Sequence, residues 1–287
     1  MTDARIHDRG YRPYEGPRSG VGGAVRSVAW HSMRGVLGLG RPARHKIFPV
    51  VSAVIAYLPA IIFVGLAALF PIDIFEEVVP AYSDYIGFVG TALVLFCGLV
   101  APEVLVRDRR DGMFGLYLST PLRRETYLVA KVLAVMATLA IVTIGPNLLF
   151  LVSVTFEGFG PDGPAAWVAV FVRIVVSGLA LSAVFAAVSM AAASLTDRRA
   201  FASVGIILVL VVSALVVGGL VENADAAVEL YVFDLLTIPF ELVFRIFGEP
   251  GEFPELSTAL VVGANVAWVA AGTGVVWLRY RRLGALG

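Results

Sequence analysis

Six long apolar runs govern what this chain can fold into: roughly Ile47–Phe70, Tyr85–Val106, Tyr127–Phe156, Trp167–Leu195, Phe201–Val221 and Ser257–Leu278. Each holds the roughly 20 consecutive, mainly apolar residues that a helix needs to cross a hydrocarbon core. A helix is also the one open-ended structure that satisfies its own backbone hydrogen bonds in lipid. Composition agrees, since 59% of the 287 residues are hydrophobic and 15% charged, whereas soluble domains carry about a quarter charged. The expected fold is therefore an all-α membrane protein with six transmembrane helices. The 46 residues before the first run are largely polar, and that run is longer than a signal-peptide core, so the first span should be an uncleaved anchor.

A seventh stretch, Val228–Phe247, carries Glu229, Asp234, Glu241 and Arg245 and is split by Pro239. Crossing would bury several charges at about 2.5–3.5 kcal/mol each near the bilayer centre. It is expected instead to form two short re-entrant half-helices between spans five and six, broken near Thr237-Ile238-Pro239. Six spans then leave both termini on one side. With the N-terminus inside, 20 of the 22 Lys and Arg fall on the cytoplasmic side and 14 of the 22 Asp and Glu outside. The positive-inside rule thus gives N-in, C-in. The organisation expected is a cytoplasmic segment 1–46, a transmembrane domain 47–278 and a cytoplasmic tail 279–287.

The formal charge of zero argues against a nucleic-acid partner. The single cysteine, Cys97, permits neither an internal disulfide nor a CxxC site. Phosphate-loop, HExxH and GxSxG motifs are absent, and His7, His31 and His45 have no metal-site spacing. No catalytic residue, cofactor or metal is therefore expected in this chain, and any energy must come from a partner. Ionisable groups are scarce within the spans, unlike in an ion-coupled carrier. Glu103 and Lys131 lie near cytoplasmic ends, where long side chains can snorkel. Arg173 lies deeper in the fourth span and is either a snorkelling residue, the partner of an outer acid, or a pathway contact. Asn147 and Asn265 either bond between helices or line that pathway, and Pro59, Pro102 and Gly145-Pro146 are expected to kink the first three spans.

On the cytoplasmic side, Val21, Val25, Val28, Ala29, Met33, Val36 and Leu37 share one helical face, opposite Arg26, Ser27, His31 and Arg34. That pattern predicts an interfacial helix on membrane lipid. Between spans two and three a charged cluster precedes a short apolar stretch, Gly112–Leu118, and a second basic cluster follows. Thr120 as N-cap and Pro121 at the first helical position should restart a helix. Arg124, Tyr127 and Lys131 would then share a face. The basic residues alone could be mere topology determinants. Met113, Phe114, Leu116, Tyr117 and Leu118, however, place large apolar side chains in the cytoplasm, which is unfavourable unless lipid or another protein covers them.

The order Glu103, Arg107-Asp108, Gly112, a short helix, then Ser119, Pro121, Arg124, Tyr127 and Lys131 entering span three resembles the ABC-2 type permeases, the membrane subunits of ATP-binding-cassette exporters. The interfacial helix, the six spans and the half-helices before the sixth are similar to that family over roughly residues 20–280. The opening YRPYEGPR resembles the leader of some actinobacterial and archaeal members. The resemblance implies a multi-pass protein of a prokaryotic cell membrane and a coupling helix at about Asp111–Leu118. Asp108, Asp111, Gly112, Met113, Phe114, Leu116, Tyr117, Pro121 and Arg124 would form the interface with a separate ABC ATPase subunit, which would bind ATP and magnesium. A second copy or a paralogous permease would complete a pathway for a hydrophobic or amphipathic substrate, with the outer half-helices as a gate. The alternative is a noncatalytic membrane scaffold within a larger complex.

Overall fold

The computed structural model describes residues 16, 19–69, 79–118 and 121–283, without the side chains of Ala67, Ala68, Phe114, Leu118 and Leu283. Among these residues the regular structure is entirely helical. We number the helices α1 (Gly20–Val36), α2 (Ile47–Leu69), α3 (the helical run Tyr82–Arg110), α4 (Met113–Leu118), α5 (Arg124–Thr143), α6 (Gly145–Phe156), α7 (Gly163–Ser194), α8 (Arg199–Asn223), α9 (Thr237–Phe247) and α10 (Thr258–Leu283). With α5 and α6 forming one run, six helices are long and apolar enough to cross a membrane. The chain is thus a multi-pass membrane protein by length and composition.

Helix α3 is the centre of the bundle. Its most apolar window is 78% buried, against 17% for α8 and 22% for α2, and it packs against α2, α5, α7 and α8. Near its start Tyr85 stacks on Phe150 of α6 at 4.4 Å between ring centroids, while Phe63 of α2 meets Phe150 edge-on at 5.7 Å. Such rings bury large apolar areas in preferred geometries. Helices α7 and α10 pack closely, and a Cβ added to Gly272 would meet the Ala187 backbone carbonyl. This is the small-residue approach expected where helices associate without a hydrophobic driving force.

Two of the three expected proline breaks occur, at Pro102 and at Gly145-Pro146, whereas Pro59 lies inside α2, which runs unbroken from Ile47 to Leu69. Residues Pro102–Val106 form a π turn within α3, a common response to a lost backbone donor. The third span divides at Ile144, ahead of Pro146. Two local expectations need correction. Pro121 does not begin the third span: α5 starts at Arg124, and Thr126 Oγ1 accepts the Arg123 N–H at 2.8 Å to cap it. Thr120 lies outside the described residues, as does the 1–15 leader. The half-helices break at Asp234–Leu236 rather than at Thr237-Ile238-Pro239, which instead forms the first turn of α9. Asp234 Oδ1 accepts the N–H groups of Leu236 and Thr237, so an aspartate turn just ahead of the helix sets this start and proline is tolerated in the first turn. The helix of the sixth apolar run continues through Arg279, Arg281 and Arg282 to Leu283.

We call the end of the bundle holding α1, the α3–α4–α5 junction and the α7–α8 turn the basic end, and the opposite end the acidic end. At the acidic end a turn of 3-10 helix, Val228–Phe233, leads into α9. Trp268 Nε1 of α10 donates to the Val232 carbonyl at 2.7 Å, and Asn265 Nδ2 to that of Ile238 at 3.2 Å. The Phe240 ring meets Phe185 edge-on at 6.1 Å. The same ring lies over Gly90 of α3, so the start of α9 packs against both α7 and α3. Its far end is held by Arg245, which pairs with Glu241 at 2.8 Å and donates to the carbonyls of Phe253 (2.9 Å), Leu256 (3.0 Å) and Pro250. Gly251 is required beneath them: its φ is +73°, and a Cβ there would collide with the Glu241 carboxylate.

Candidate functional site

The residues carrying the sequence signal converge at the basic end, and their geometry begins with the π turn. It turns Glu103 inward, leaving its side chain 7% exposed. Three arginines from separate parts of the chain meet this carboxylate: Arg41 before α2 at 2.6 Å, Arg107 of α3 at 3.1 Å and Arg199 at the start of α8 at 2.7 Å. A buried carboxylate is tolerated only when paired in this way. Arg107 also reaches Asp111 at 3.4 Å.

One turn on, Asp108 pairs with Lys131 of α5 at 2.5 Å and accepts the Tyr127 hydroxyl at 3.0 Å. Lys131 also donates to Ser32 Oγ of α1 at 2.8 Å. Its ammonium lies 5.2 Å from the Tyr117 ring centroid and 5.3 Å from that of Tyr127, within cation–π range. Lys131 is 1% exposed, so the snorkelling expected of it does not occur; a carboxylate, a hydroxyl and two rings replace its water. Burial, reinforced by the Asp108 charge, holds the Tyr117 phenol above its ordinary pKa.

Arg109 closes the cluster from the other side. It donates to the carbonyls of Ala193, Ser194 and Thr196 at 2.6–2.7 Å and lies 5.8 Å from the Tyr280 ring of α10. It thereby satisfies carbonyls left unpaired at the end of α7 and complements the helix dipole. Asp197 approaches Arg109 at 3.5 Å. The paired tripeptides Asp108-Arg109-Arg110 and Asp197-Arg198-Arg199 are thus two halves of one junction. Their similarity was visible in the sequence, and Arg41, Ser32, Arg109 and Arg199 are the members that motif matching alone overlooks.

Beyond the cluster, Asp111 and Gly112 turn the chain into α4. Gly112 takes a φ of +65°, the left-handed conformation that favours glycine in this turn. Met113 and Tyr117 are half-buried, Leu116 is 60% exposed, and the Tyr117 ring packs on Tyr127 at 5.4 Å. The Phe114 side chain and Ser119 lie outside the described residues. Pro121 is exposed in the turn before α5. Arg124 lines a different cavity with Glu125, Trp277 and Arg281. Helix α1 packs its half-buried face, including Val25, Val28 and Met33, against α5, while Arg26, His31 and Arg34 remain exposed.

The remaining sequence candidates stand apart from this junction. Asn147 is buried and donates to the Thr143 carbonyl at 2.9 Å across the break in the third span. Asn265 is buried and fastens α9 to α10. Arg173 is exposed among Val172, Val176 and Phe171 on the outside of α7 and has no charged partner among the described residues. Among the described residues, no three His, Cys, Asp or Glu side chains are grouped to hold a metal ion. No protein-family model and no curated protein matches this chain.

Proposed function

We propose that this chain is the permease subunit of an ABC-2 type exporter, oriented N-in and C-in in a prokaryotic cell membrane. In this reading the basic end faces the cytoplasm, and α4, with Asp111 and Gly112 before it, is the coupling helix that docks on a separate ABC ATPase. ATP and magnesium bind in that partner, and this chain performs no chemistry of its own. The observation that supports the reading best is the Asp108–Lys131–Tyr127 cluster with Ser32. It fixes the turn carrying α4 to both α1 and α5, so a push on α4 moves them as a rigid unit. Arg109 and Glu103 extend the same linkage to α7, α8 and the segment before α2.

At the other end, the start of α9 forms one wall of a mainly apolar groove of about 420 Å³ on the α3–α8 face, lined by Gly87, Thr91, Val94, Val211, Leu236 and Phe240. With a second copy or a paralogue opposite, this groove would form half of a pathway for a hydrophobic or amphipathic solute. In this reading α9 is its re-entrant gate.

Leu116 is the site for a direct test. Leu116→Glu places a charge in the docking face without touching the cluster. The variant should insert and fold normally, while the ATPase recovered with the tagged chain falls about tenfold or more, since an unpaired interfacial charge costs roughly 1–3 kcal/mol or more. Undiminished ATPase recovery and transport in this variant would remove α4 from the coupling role.

A further inference from the structure

A cavity of about 250 Å³ opens at the basic end between the feet of α2, α3 and α8, lined by Arg41, His45, Glu103, Arg107, Arg110 and Arg199 together with Asp111. Four guanidinium groups face two carboxylates there. Each guanidinium presents five N–H donors in a rigid fork, and each carboxylate offers only about four acceptor positions. Arg41 and Arg199 each bring one nitrogen to Glu103, and among the described residues Arg110 pairs with Asp111 alone, at 3.4 Å. Glu103 therefore gathers these cations without neutralising them. The cavity keeps a surplus of positive charge and of donors suited to a phosphate oxygen.

The surroundings indicate what such a phosphate would be attached to. Immediately beyond Lys46, α2 begins with Ile47 and Phe48, 59% and 66% exposed, and Val51 follows on the surface. Helix α8 likewise begins beside Arg199 with exposed Phe201 and Val204. The cationic cavity thus sits at the level where two membrane helices change from polar to lipid-facing surface. Basic pockets between helix ends are suited to anionic lipid headgroups.

We infer that the Arg41–Arg107–Arg110–Arg199 cavity binds the phosphodiester of an anionic phospholipid, with the acyl chains laid along Phe48 and Val51 of α2 and Phe201 and Val204 of α8. The bound headgroup adds an anion between the arginines and ties α2 to α8 across the end of α3. This inference requires only that these helices cross a membrane. It is independent of what docks on α4.

The test uses the intact protein in phosphatidylcholine nanodiscs into which phosphatidylglycerol is titrated, with retained lipid counted by native mass spectrometry. One phosphatidylglycerol per chain should be retained in preference to phosphatidylcholine. Arg110→Glu should weaken that retention about tenfold or more, since each basic group near a lipid surface contributes about fivefold. Arg110 is 71% exposed and does not touch Glu103, so this variant should fold. Millimolar glycerol 3-phosphate distinguishes the two sources of phosphate: weak displacement supports a lipid site, whereas displacement as effective as that by phosphatidylglycerol would make this a site for soluble phosphate esters. Equal retention of the two lipids, or unchanged retention in Arg110→Glu, would overturn the inference.

Discussion

Replacing Lys131 by Met is expected to cost about 3–5 kcal/mol of stability, because it leaves the Asp108 carboxylate without its cation. For a chain of this size that corresponds to a fall in melting temperature of roughly 6–20 °C. Met keeps most of the lysine's volume, so lost packing contributes little. The double replacement Lys131→Met with Asp108→Asn should recover most of the loss, since the amide carbonyl still accepts the Tyr127 hydroxyl and no charge is left uncompensated. A thermal-unfolding double-mutant cycle in detergent or nanodiscs would measure this coupling. If both single variants melt with the wild type, Lys131 is a surface group and the junction is not the rigid element described.

A comparable loss is expected at the other end. Arg245→Ala removes the cation opposite Glu241, whose side chain is 1% exposed, and strips the donor from the carbonyls of Phe253 and Leu256. Breaking a buried pair from one side costs about 3–5 kcal/mol, and here the cost falls on a peripheral unit. Hydrogen exchange should therefore rise across 237–256 while α3, α5 and α7 keep their protection. Adding Glu241→Gln should restore part of that protection by removing the orphaned charge. Uniform unfolding of the whole chain instead would show that α9 is a keystone of the bundle and not a separately movable gate.

Much of this architecture was legible because lipid imposes a simple rule on sequence. Runs long enough to span and a one-sided distribution of arginines required no tertiary information, and Val228–Phe247 betrayed its shorter helices through Glu241 and Arg245. The misplaced boundaries share a cause. Pro121 and Pro239 mark where a helix is permitted to start, whereas the starts at Arg124 and Thr237 were fixed by capping from Thr126 and by the aspartate turn at Asp234. The partners of Glu103 and Lys131 were hidden for another reason. Arg41 and Glu103 are 62 residues apart and Ser32 and Lys131 are 99 apart, and no periodicity within one helix reports such distances. The echo of Asp108-Arg109-Arg110 in Asp197-Arg198-Arg199 reads equally well as two similar topology anchors, and nothing in it reports that the two turns meet.

The junction gives the proposed coupling a physical form. Glu103, Asp108 and Arg109 lie within seven residues of one helix end and reach the segment before α2 and helices α5, α7, α8 and α10, with α1 joined through Lys131. A movement delivered at α4 is therefore shared by much of the bundle. At the opposite end Asn265 fastens α9 to α10, and Trp268 fastens the 3-10 turn that leads into it, so tilting of the long helices would carry the proposed gate with them.

The most direct measurement is to purify the tagged chain from its native membranes under mild extraction, identify stoichiometric partners and assay ATP turnover in the recovered complex. The permease reading requires an ABC ATPase at about one per copy, with hydrolysis that depends on the assembled complex. Recovery of the chain alone, or with partners that bind no nucleotide, would contradict it and leave the membrane-scaffold reading in its place.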